Sequence, residues 1–348
     1  MGALYYGAFQ DQPTLERAAK QALEPSLDEV TTAFVRRDIF EVGGLRVGPD
    51  RGAALEESWE RRLGDVPKSS VTMRSWSEAA ADFAGGVGHH RPFPAFLFNS
   101  TIVESGQPIV FATTQFPTPS YKIAIGMTAS HYPTLESANS MFGLSVVPDK
   151  AIDIGLKAVT AARISAAFPY VSPAVRLENR EPYHLVDGGY YDFYGLVALS
   201  QWVDNALEEL DVAHQLPPTL GVIIARGLVS SDTALRANDA ANPIALKAAP
   251  RGWRWQLTAP PATVVNAQSF AQWAGGMQTL RMLIEKWAAR QVKIIPVLFD
   301  YPGGEHKAVC QGSPLSWKLT EPQRTCISSA WHSFVPNDTV NPLPEDLR

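Results

Sequence analysis

Residues 184–192 read HLVDGGYYD. Leu185 and Val186 close a short apolar run, Asp187 follows it, and Gly188-Gly189 lets the backbone turn sharply. Helical spacing then sets in from Tyr194 to about Leu210. Strand, turn and helix in that order make the unit from which α/β sheets are assembled. In such sheets functional groups collect outside the carboxyl ends of the strands. Asp187 occupies that place, so fold and candidate site are read from the same nine residues. On its own, Asp-Gly-Gly is an ordinary turn.

The same alternation extends outward. PAFLFNSTIVES (94–105) and PIVFATTQF (108–116) are β-rich runs separated by Ser-Gly-Gln and predict a strand pair. IDIGLKAVTAARISAAF (152–168) predicts a small-residue helix stopped by Pro169. GVIIARG (221–227) and VKIIPVLF (292–299) predict buried strands, because they are apolar throughout. Between them, residues 268–291 predict a long helix with Phe270, Trp273, Met277, Leu280, Ile284 and Trp287 on one stripe. Residues 23–90 are mostly polar and helical, with Leu55, Trp59 and Leu63 on one face. Met1–Ala22 also has helical spacing, but no Ser, Thr, Asp or Asn precedes it as a cap. The expected fold is α/β: a mixed, mainly parallel central sheet with helices on both faces. The expected organisation is a single domain over 1–348, with 23–90 a helical insertion and 228–348 a C-terminal extension.

Composition sets limits on function. The chain has 348 residues, 45% hydrophobic and 19% charged, with a net charge of −5 and no basic run. That is a globular balance, and it argues against nucleic acid as a partner, which needs a concentrated basic surface. No stretch approaches the roughly 20 apolar residues of a membrane-spanning helix, and no basic leader precedes the apolar start. The expected location is therefore cytoplasmic or at a membrane surface. Two cysteines, Cys310 and Cys326, are too few to staple the fold; they could pair in an oxidising compartment, and read first as isolated buried thiols. His89-His90 lacks further ligands at metal spacing and reads as a loop pair. No cofactor is expected. Asn99, Thr101 and Glu104 read as hydrogen-bonding strand residues, and Trp253 and Trp255 as packing residues.

SAAFPYVSPAVR (165–176) followed by HLVDGGYYDFYGL (184–196) resembles the catalytic-aspartate region of bacterial patatin-like phospholipases. PAFLFNSTIVESGQPIVF (94–111), DRGAALEESWERRL (50–63) and PLSWKLTEPQRTCISSAW (314–331) are similar to further segments in the same order. The resemblance implies a lipid acyl hydrolase that uses a Ser–Asp dyad. The serine sits in a G-x-S-x-G elbow, and a glycine-rich loop supplies oxyanion-stabilising amides. It assigns Asp187 as the dyad base and Gly188 and Gly189 as its turn, with lipid or ester as substrate and contact with a membrane surface. The family's D-N-x-G downstream is here Asp192-Phe193-Tyr194-Gly195, a change expected to alter loop packing rather than the dyad.

The chain departs from the family in a larger way. No G-x-S-x-G occurs in it: Gly143-Leu144-Ser145 continues into Val-Val, and Gly312-Ser313 has the wrong register. MGALYYGAF resembles the tail of the family's elbow motif, which implies that the nucleophile lies just before Met1 and that Asp187 lies close to Met1. The chain as it stands is then expected to be inactive on short-chain esters and phospholipids, and poorly soluble. Two other classes remain open: a nucleophile-less pseudoenzyme that binds lipid or a protein, and an unrelated α/β protein with a chance Asp-Gly-Gly turn.

Overall fold

The computed structural model describes residues 2–8, most of 17–35, 51–84, 93–114, 136–137, 156–167, 172–176, 183–226, 253–300 and 320–334. They belong to two compact units, Met1–Val212 and Ala213–Arg348.

In the first unit the predicted strand pair is present. β1 (Leu97–Ile102) runs antiparallel to β2 (Pro108–Ala112), with Leu97 opposite Ala112 and Thr101 opposite Pro108. β2 is buried at every position, as its unbroken apolar run requires. A two-residue strand, β3 (Glu136–Ser137), pairs parallel with β2. β4 (Leu185–Asp187) pairs antiparallel with β1, which gives the order β3-β2-β1-β4. The chain thus mixes helices with a mixed sheet. Two of the three pairings in this sheet are antiparallel, because β1 and β2 are joined by a tight turn and β4 meets β1 from the opposite direction.

The helices of this unit before β4 include α1 (Gly2–Ala8), α2 (Leu27–Ala33), α3 (Arg51–Leu63), α4 (Met73–Ala84) and α5 (Ala158–Ser165). The predicted stripe Leu55, Trp59 and Leu63 on α3 is buried to within 1%. α3 is tied to α5 by charge as well as packing. Glu56 binds Arg163 and Thr160, and Glu60 receives both Lys68 and Lys157. Burial alone would raise the proton affinity of Glu60, but the two lysine hydrogen bonds outweigh it and hold the carboxyl below its ordinary range. α4 places Trp76 4.7 Å from Phe96, at the entry to β1, and Gly7 of α1 lies against the same indole with no space for a Cβ. After β4 comes α6 (Leu196–Val212), whose Val197 and Ala198 pack on Leu97, Val110 and Ala112 of the sheet.

The second unit is a β–α–β crossover. β5 (Thr219–Arg226) and β6 (Lys293–Asp300) are parallel over eight paired positions and are joined through α7 (Trp253–Ala288); α8 (Glu321–Phe334) follows. Parallel neighbours need such a long crossover. Three expectations are corrected here. β5 is not buried on both faces: Val222 and Ile224 are inside, whereas Ile223 between them is 56% exposed. The buried stripe of α7 runs through Gly276, Leu280, Leu283 and Trp287, and Phe270 is 56% exposed. Cys326, buried on α8, is disulfide-bonded, which corrects its reading as a free thiol; the chain's other cysteine, Cys310, lies outside the described residues.

Candidate functional site

Asp187 is the last residue of β4, so its carboxylate leaves the sheet where the strand ends. Its backbone is held on two sides. The amide donates to the Ala167 carbonyl at 3.3 Å, just past α5, and across the ladder Asp187 faces Ser100 of β1. The Ser100 hydroxyl is buried and donates to the Val186 carbonyl at 2.6 Å. These bonds fix the strand end to within a peptide unit. The turn then fixes the side chain: the Gly189 N–H donates to Asp187 Oδ1 at 2.7 Å, over a single 3-10 turn at Gly188–Tyr190.

Gly188 is required here for room rather than for a special φ. A Cβ on it would lie 2.5 Å from the Asn99 carbonyl oxygen and 2.5 Å from the Asn99 Cγ, so any side chain would push the turn off β1. At Gly189 the nearest neighbours of a Cβ would be Asp187 Oδ1 at 2.9 Å and the Phe193 ring at 3.1 Å. Both glycines of the motif are therefore explained by close packing.

Burial raises the proton affinity of Asp187 above that of an ordinary carboxyl, and the Gly189 hydrogen bond opposes this only in part. Among the described residues no cation pairs with it, and Gly189 is its only side-chain hydrogen-bond partner. Five residues on, Asp192 is engaged quite differently. It is 5% exposed, and its Oδ2 accepts from the Ala198 amide at 2.9 Å, in the first turn of α6. Burial raises its proton affinity too, while the amides of Ala198, Val197, Leu196 and Gly195 lower it. Gly195, at φ +66°, makes the bend that points these amides back at the carboxylate. Asp192-Phe193-Tyr194-Gly195 thus forms a helix cap. Two carboxylates five residues apart are thus set differently: Asp192 is buried and held by backbone donors, and Asp187 is half-buried with Gly189 as its described side-chain partner.

Asp187 ends β4, and Gly188 and Gly189 form the turn after it. Met1, and with it the expected approach of Met1 to Asp187, lies outside the described residues. So do His89, His90, Gly143-Leu144-Ser145, Gly312-Ser313 and the side chains of Trp253 and Trp255. Among the described residues no three His, Cys, Asp or Glu side chains are grouped to hold a metal ion, and no helix is long and apolar enough to cross a membrane. The three polar residues assigned to the strand separate. Asn99 hydrogen-bonds within the site, to the Asp192 carbonyl at 3.0 Å and from Ser165 Oγ at 3.2 Å. Glu104 lies in the turn after β1 and binds the backbone and ring of His184. Thr101 is buried with its hydroxyl unpartnered, which corrects its reading as a hydrogen-bonding residue. What sequence reading missed is the place of Asn99 and Ser165 beside the Asp187 turn; an asparagine inside a strand, where it is disfavoured, was the signal. No family model, curated protein or solved structure matches the chain.

Proposed function

We propose that the chain is a patatin-like lipid acyl hydrolase in which Asp187 is the base of a Ser–Asp dyad, and that these 348 residues hold the aspartate without its serine. One observation supports the reading above the others. Asp187 is a half-buried carboxylate at a strand's carboxyl end, with one oxygen held by Gly189 and, among the described residues, no cation to neutralise it. A carboxylate paired with a cation is a poor base; one that burial makes eager for a proton is a good one. In the proposed step, the serine hydroxyl attacks the ester carbonyl as its proton passes to the free oxygen of Asp187. Asp187 returns that proton to the departing alcohol, and, again a carboxylate, takes one from the water that resolves the acyl-enzyme, passing it to the serine as the acid is released. The substrate is a carboxylic ester, with lipid the class implied by the resemblance, and the mainly parallel patatin-like sheet belongs to the same proposal.

The test uses two chains. The 348-residue chain should not turn over short-chain p-nitrophenyl esters or phosphatidylcholine vesicles. A chain extended by the codons upstream of Met1 should do so, and Asp187→Asn in it should lower kcat by about a thousandfold or more. Upstream codons without a G-x-S-x-G frame would leave a nucleophile-less binding protein. Hydrolysis that survives Asp187→Asn would remove Asp187 from the chemistry.

A further inference from the structure

We infer that Asn99 is a positioning residue for Asp187: its carboxamide clamps the Asp187–Gly189 turn between the end of α5 and the loop leading into α6. The inference rests on reading Asp187 as the base, but its geometry stands independently. Asn99 Nδ2 donates to the Asp192 carbonyl at 3.0 Å, and Oδ1 accepts from Ser165 Oγ at 3.2 Å. The partners lie 93 and 66 residues away along the chain. Asp192 is itself the hinge of the turn, since its amide donates to the Gly188 carbonyl at 2.8 Å while its side chain caps α6. One planar group therefore ties β1 to α5 and to the residue that closes the turn around the carboxylate.

Contact reinforces the hydrogen bonds. Gly188 sits directly on residue 99, with its missing Cβ 2.5 Å from Asn99 Cγ and 2.5 Å from the Asn99 carbonyl oxygen. The turn can neither move toward β1, because Asn99 fills that space, nor away from it, because the Asn99–Asp192 bond would break. A carboxamide is suited to this place because it presents a donor and an acceptor in one plane without charge. An aspartate there would keep the acceptor, lose the donor and set a second negative charge beside the base.

The alternative is that Asn99 is only a cross-link that stabilises the fold. The discriminating measurement is the pH titration of the Asp187 side-chain carboxyl carbon by NMR, in the 348-residue chain labelled at aspartate. The signal is assigned by its loss in Asp187→Asn. Asn99→Leu fills a similar volume without the hydrogen bonds. Freed from the clamp, the turn should admit water, and the Asp187 midpoint should fall toward the ordinary carboxylate value, because burial is the larger of the two influences upon it. Ser165→Ala, which removes one partner at a half-buried position, should shift it the same way by less. Leu63→Ala, a destabilising change in the same unit, should lower the melting temperature and leave the midpoint alone. An unmoved midpoint in Ser165→Ala and Asn99→Leu overturns the inference; if Asn99→Leu does not fold, an unmoved midpoint in Ser165→Ala alone does so. An equal movement in Leu63→Ala also overturns it. These outcomes are separate from the fate of the base reading, which is decided by hydrolysis in Asp187→Asn.

Discussion

At the scale of single residues, Asp187 and Asp192 show how one loop sets two carboxylates apart. Burial raises the proton affinity of both, Asp192 being buried and Asp187 half-buried, but only Asp192 has its charge answered by a row of amides. The charge on Asp187 therefore costs folding free energy. Its proton affinity is higher in the folded chain than in the unfolded one, so its contribution is best below the ordinary carboxylate range. That contribution is lost as pH rises through the folded midpoint. Asp187→Asn is accordingly expected to raise the melting temperature at pH 7, with the gain vanishing near pH 3; thermal melts across that range check it. A second expectation concerns Gly188. Alanine there must displace the turn from the Asn99 backbone, at about 1–3 kcal/mol in urea unfolding. Asp187 was legible in the sequence because strand, aspartate and two glycines are contiguous. Asn99 was legible only as an asparagine out of place in a strand, since the partners that give it a role come from segments 66 and 93 residues distant.

At the scale of elements, helices with a clean stripe were read correctly where something covers the stripe. α3 buries Leu55, Trp59 and Leu63 as its periodicity requires. The pairing of Glu56 with Arg163 adds a polar seam between α3 and α5, with both side chains at most 15% exposed. Glu56→Ala would leave the guanidinium buried without its carboxylate, and a loss of about 3 kcal/mol is expected in chemical denaturation. The helix 268–291 was located but not bounded: α7 begins at Trp253 and passes through Pro260-Pro261, where local rules place a break. Its stripe was misplaced at one end, with Phe270 left in solvent, because periodicity reports which residues share a face and not how far a neighbour extends along it.

At the scale of the molecule, the two units differ in how well their sheets are covered. β2 is buried throughout and bonded on both sides, to β1 and β3. β5 and β6 have only each other as described partners, and Ile223 is open on one face. Hydrogen exchange should find the β2 amides slowest, and those of β5 and β6 faster by roughly tenfold or more. The open apolar position is also an aggregation risk; Ile223→Lys should increase the soluble yield of the expressed chain without lowering its melting temperature.

The sequence by itself determined the strand pair at 97–112, the strand–aspartate–glycine turn at 185–189, the helix after it and the apolar face of α3. Each is set by contiguous residues or by a short period, where backbone sterics and amphipathicity act locally. The tertiary structure alone decided the antiparallel pairings around β1 and β4 and the one-sided burial of β5. It also decided the capping role of Asp192 and the clamp formed by Asn99. These depend on which distant segments meet, and pairing partners, cover and hydrogen-bond satisfaction are properties of that meeting rather than of any stretch of chain.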